Sequence, residues 1–117
     1  MLKVSEMLIE VGGKLLSTVS SKEEMQAHLD LVTRAWNMAI EPPLKRKRAL
    51  KAFLKNQKKY APSHEALKGL ESEIIRVMKQ KDILFPHVDN RIAISEAIEK
   101  GKDDYLIRAI FAEDHVH

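Results

Sequence analysis

Apolar residues recur every three or four positions over most of the chain, and every second position near its C-terminus. The first spacing keeps side chains on one face of an α-helix; the second keeps them on one side of a strand. Over residues 2–19, Val4, Met7, Leu8, Val11, Leu15 and Val19 share a helical face, opposite Lys3, Glu6, Glu10, Lys14 and Ser17. Leu2, Ile9 and Leu16 widen the apolar arc, so this helix should be covered on two sides, by the domain or by a second subunit. Gly12 and Gly13 interrupt the pattern, and the expectation there is a kink or a close helix contact.

Ser20 and Ser21, each three residues ahead of a glutamate, form overlapping capping boxes and predict a second helix over 21–41. Its main face carries Met25, Leu29, Val32, Ala35, Trp36, Ala39 and Ile40, with Leu31 and Met38 on another side, which is the pattern of a central helix. Trp36 should be a core anchor whose indole N–H bonds to a nearby acceptor. His28, at the edge of that face, reads as a partly buried structural histidine. Pro42 and Pro43 end the segment and open a third helix, 43–60. Pro62 breaks the chain again; Ser63 then caps a fourth helix, 63–82, with Ala66, Leu67, Leu70, Ile74, Val77 and Met78 on one face.

Beyond 90 the period changes. Ile92, Ile94 and Ile98, then Tyr105, Ile107, Ala109 and Phe111, fall at even spacing on either side of Lys100-Gly101-Lys102, which predicts a β-hairpin over 91–111. A lone two-stranded hairpin is marginal in water, so it should pack on the helices or pair with another copy across an edge. The expected fold is therefore α+β and mainly α, one domain over 1–117 with about four helices and a C-terminal hairpin; an all-α bundle is the alternative. A homodimer is the expected consequence of edge pairing.

Charge adds the one feature that points outward. The net charge is +3, yet between Pro42 and His64 stand eight Lys or Arg residues and no Asp or Glu, so the rest of the chain is net acidic. At about 100° per residue, Lys45, Lys47, Arg48, Lys51, Lys55, Lys58 and Lys59 share an arc of roughly 160°, with Ala49, Leu50, Phe53, Leu54 and Tyr60 opposite. Like charges at i and i+4 repel, and the offset is expected from nucleic-acid phosphate, an acidic membrane surface, or an acidic patch elsewhere in the protein or in another subunit. Lys47, Arg48, Lys51, Lys55, Lys58 and Lys59 are accordingly the candidate anion or partner surface. The arc is poor in arginine for reading bases and lacks interleaved aromatics for stacking single strands, so a nucleic acid would be held by its phosphates. An acidic protein is the other partner, and a solvated lysine face is the reading without function.

Signals for catalysis are weak. No nucleophile elbow, phosphate-cradling glycine loop or His-Glu-x-x-His spacing occurs, and without cysteine a metal site would need histidine with carboxylates. His87 with Asp89, and the terminal His115 and His117, are the residues a small enzyme or metal protein would use. Glu71 and Glu73 point different ways on a helix and make a poor acid/base pair. No catalytic residue, cofactor or metal ligand is therefore expected. Glu6 and Glu10 interrupt any export-signal core, and no window is apolar enough to cross a bilayer, so no membrane insertion is expected. The absence of cysteine fits a reducing cytoplasm. The sequence thus describes a non-enzymatic accessory module that self-associates, with sequence-nonspecific nucleic-acid binding through 43–60 as the alternative.

Overall fold

A computed structural model describes residues 2–17, 19–102 and 104–112, and these form five helices followed by a two-stranded antiparallel sheet. The helices are α1 (Val4–Gly12), α2 (Lys14–Ser17), α3 (Lys22–Ala39), α4 (Pro43–Gln57) and α5 (His64–Leu84); the strands are β1 (Ile92–Gly101) and β2 (Asp104–Phe111). The fold is α+β and mainly α, as the change of period predicts, and the all-α alternative is excluded by the hairpin.

The first predicted helix is divided in two. Gly13 takes φ 54°, a left-handed value that a side chain resists, and its N–H bonds to the Ile9 carbonyl at 2.9 Å to close α1. Gly12 serves close packing: a Cβ there would lie 2.7 Å from Leu16 Cδ1 and 3.3 Å from Val32 Cγ2. Beyond the break at Gly13, Leu16 of α2 is buried in the core. Leu2 and Ile9, by contrast, remain exposed, so no described residue of the domain covers the side they occupy.

α3 begins where Ser21 Oγ accepts a hydrogen bond from the Glu24 N–H at 3.1 Å, while the Glu24 carboxylate accepts from Ser20 Oγ at 2.8 Å. The two serines thus share one glutamate instead of forming two separate boxes. The helix is the centre of the molecule. It buries Met25, Leu29, Val32, Ala35, Trp36, Met38 and Ala39, and packs against α1, α5 and β1. Trp36 has no exposed surface; its indole N–H donates to the Asn90 carbonyl at 2.9 Å, and Phe85 and Phe111 flank its ring. His28 Nδ1 lies 2.7 Å from the Leu15 carbonyl, tying α3 to α2 in the structural role expected of it.

The hairpin rests on α3 through β1 and on α1 through β2. Even spacing predicts Ile92, Ile94 and Ile98 on one face, and this needs correction. The register runs Ile92↔Phe111 and then Ile94↔Ile110, so Ala93 is an extra residue in β1. Such a bulge reverses which face each following side chain occupies. Ile92 and Ala97 are buried against the helices, whereas Ile94 and Ile98 point to solvent beside Leu106 and Ile110. β2 has no bulge within this stretch, and Tyr105, Ile107, Ala109 and Phe111 keep to the core side.

α3 also closes the outer edge of β1. Gln26 Nε2 donates to the Ser95 carbonyl at 3.1 Å and its Oε1 accepts from the Ala97 N–H at 2.8 Å. Asn37 does the same at Ile92, with distances of 3.0 Å and 2.8 Å. Each side-chain amide replaces one rung of a missing strand, so the backbone polar groups there are paired.

Candidate anion-facing surface

α4 starts with Pro43 at its first turn, where the missing N–H costs nothing, and ends at Gln57, three residues short of the expected Tyr60. None of its residues is fully buried. It is held to the rest by half-buried Ala49, Leu50 and Phe53, and the Arg34 guanidinium covers the Phe53 ring at 4.9 Å. Tyr60 departs from the predicted apolar face: it is 75 % exposed beyond the helix end.

The cationic face is displayed outward. Lys45, Lys47, Arg48, Lys51, Lys55, Lys58 and Lys59 are all exposed. The ion pairs among the described residues are Arg46–Asp82, Arg76–Glu73 and Arg108–Glu96, so none of those seven has a carboxylate partner there. Arg46 lies outside the arc. It makes a two-pronged contact with Asp82 of α5, at 2.8 Å and 3.2 Å, and also donates to the Ala39 carbonyl. One arginine of the segment therefore anchors α4, and the cations from Lys45 to Lys55 form a ridge roughly 15 Å long on the helix, with Lys58 and Lys59 just past its end.

An open groove of about 910 Å³ runs beside the ridge between α3, α4 and β1. Ala49, Ala52 and Phe53 line its α4 wall, while Asp30, Glu41 and Arg91 contribute charges of both signs from the other elements. The mixed charge gives it no preference for an anion. Sequence reasoning did not anticipate this groove, because its walls come from segments far apart in the chain.

Residues considered for metal or acid/base chemistry are not gathered. His87 and Asp89 are exposed in the loop after α5. His115 and His117 lie outside the described residues. Among the described residues, no three His, Cys, Asp or Glu side chains come together in a way that could hold a metal ion. Glu73 is engaged by Arg76 at 3.0 Å. No described helix is long and apolar enough to cross a membrane.

One cation of α5 is buried. Lys81 continues the apolar series Ile74, Val77, Met78 along α5 and is only 3 % exposed. Its Nζ donates to the Phe85 carbonyl at 2.9 Å and to the Val88 carbonyl, and lies 5.2 Å from the centre of the Trp36 ring. Burial pulls its pKa below the ordinary lysine range, a shift that Arg46 assists and that Asp82 and Asp89 oppose. Its partners are the carbonyls of the loop that carries Asn90 to Trp36, so its work is structural. Compared with protein-family models, curated proteins and solved structures, the chain matches none.

Proposed function

We propose that this chain is a non-enzymatic accessory module that binds the phosphate backbone of nucleic acid through the exposed face of α4, without reading base sequence. One observation carries the reading: five exposed cations on α4, Lys45, Lys47, Arg48, Lys51 and Lys55, and two more just past its end, Lys58 and Lys59, have no carboxylate partner among the described residues. No described carboxylate relieves their mutual repulsion, and a polyanion would. Successive turns place a cation about every 6 Å along the rod, which suits a repeating charge better than a single acidic side chain. Arg46 is committed to Asp82, which leaves Arg48 as the one arginine of the segment suited to forked contact with a base edge. Recognition would then rest on phosphates. The absence of cysteine is consistent with a reducing, cytoplasmic setting for this task.

Fluorescence anisotropy with a mixed-sequence DNA duplex tests the proposal. Binding is expected at about 50 mM salt, with a steep loss toward about 200 mM and little dependence on sequence. Replacing Lys51 and Lys55 together by glutamate should abolish it. No binding at the lower salt, or binding that survives this double substitution, overturns the proposal; retention of an acidic protein but not DNA would assign the ridge to a protein partner instead.

A further inference from the structure

The two edges of the hairpin are treated differently. On β1, Gln26 and Asn37 occupy backbone groups that point away from β2. In an antiparallel ladder, residues opposite one another either both bond inward or both point outward. Ser95 faces Ala109 and Ala97 faces Ile107 in the register. Because Gln26 takes the Ser95 C=O and the Ala97 N–H from outside, Ile107 and Ala109 must turn their own N–H and C=O groups outward from β2. No described side chain or backbone group bonds to those two residues along that edge. An unpaired edge of this kind is a template for another strand.

The outer face of the same hairpin carries Ile94, Ile98, Leu106 and Ile110, each 39–49 % exposed. Down its middle run Glu96 and Arg108, paired across the strands at 2.8 Å. Asp104 is exposed at the start of β2, with no ion pair among the described residues. Asp104 and Arg108 lie on the same face, on either side of Leu106.

We propose that β2 pairs antiparallel with β2 of a second copy about a two-fold axis beside Ile107, giving a continuous four-stranded sheet. The charges select both the occupant and the register. About Ile107, Arg108 of each copy lies diagonal to Asp104 of the other, within reach of a long side chain. A slip that sets Ile107 opposite Ala109 of the second copy would bring the two Arg108 side chains face to face. A slip the other way keeps the opposite charges together but pairs a shorter run of strand. The chosen register sets Leu106 of each copy opposite Arg108 of the other and diagonal to the other Leu106, so the two leucines meet across the two-fold axis. α4 is elsewhere, so this interface does not depend on the proposed nucleic-acid contact.

Light scattering of the full chain at micromolar concentration should report a dimer, with hydrogen exchange at the Ile107 and Ala109 amides slowing as concentration rises. Asp104→Arg alone and Arg108→Asp alone should each raise the dimer dissociation constant about tenfold, because each sets like charges together at two symmetric sites. Mixing those two variants should restore a dimer as a heterodimer, since every contact then joins opposite charges. Asp104→Arg leaves the Glu96–Arg108 pair intact and guards against a simple folding defect. A strict monomer, single variants that dimerise like the parent, or a mixture that gives no heterodimer overturns the proposal. So does loss of the dimer on Ile94→Lys with the charge variants unaffected, which would mean that the outer faces pack against each other instead.

Discussion

At position 81 an ammonium group occupies a place in the helical pattern that Val77 and Met78 would assign to an aliphatic side chain. Lys81→Met keeps the volume but leaves the carbonyls of Phe85 and Val88 without their donor, and should cost about 2 kcal/mol in denaturant unfolding at neutral pH. The sign of its pH dependence follows from the lowered pKa. Between the folded value and the unfolded value near 10.5, the unfolded chain binds more protons, so stability from this site rises with pH; below that window the burial penalty is full. The gap between wild type and Lys81→Met should therefore widen on moving to alkaline pH. Glu24 behaves oppositely: hydrogen bonds from Ser20 lower its pKa, so the stability it confers is present above its ordinary value of 4.5 and is lost as pH falls through the folded value. Glu24→Gln should flatten that acid limb of the unfolding curve. Gly13→Ala places a side chain at φ 54° and should destabilise by about 1 kcal/mol, read from the same unfolding midpoint.

The elements differ in how much of their placement is local. The caps at Ser21 and Ser63, the stop at Pro42 and the faces of α3 and α5 are interactions among residues a few positions apart, and they were readable as spacing. The hairpin was readable too, but the identity of its inner face was not, because the Ala93 bulge shifts the alternation by one residue. Gln26 and Asn37 looked like ordinary polar positions of a helix; only their reach to strand residues 55–71 positions away shows that they stand in for a third strand. Asn37→Ala should leave the Ile92 N–H and C=O unpaired and cost about 2 kcal/mol, with faster hydrogen exchange at Ile92 as the local signature.

Across the whole molecule, positive charge is set apart on a rod that contributes no fully buried residue, while the packing is done by α1, α3, α5 and the hairpin. This separation predicts opposite effects from one change. Replacing Lys51 and Lys55 by glutamate should abolish polyanion binding yet raise stability by about 0.5–1 kcal/mol, because repulsions along the helix become attractions. Loss of both binding and stability would mean that the lysines serve the fold. Partial shortening of the ridge, by Lys58→Ala with Lys59→Ala, should lower the slope of log affinity against log salt by about 2. The ridge was legible because charges on one helix obey a single local period. That Arg46, which lies off that face, would pair with Asp82, 36 residues away, was not.

What the sequence determined by itself is therefore whatever depends on neighbours within a few residues: the helices and their ends, the presence of a hairpin, the burial of Trp36 and the shared face of the lysines. Tertiary structure alone decided which side of β1 meets the core, which strand edge is sealed and which is open, where a lysine is buried and which arginine is neutralised. Each of those outcomes is settled by partners distant in the chain, and the requirement that buried backbone groups find such partners leaves no trace in local periodicity.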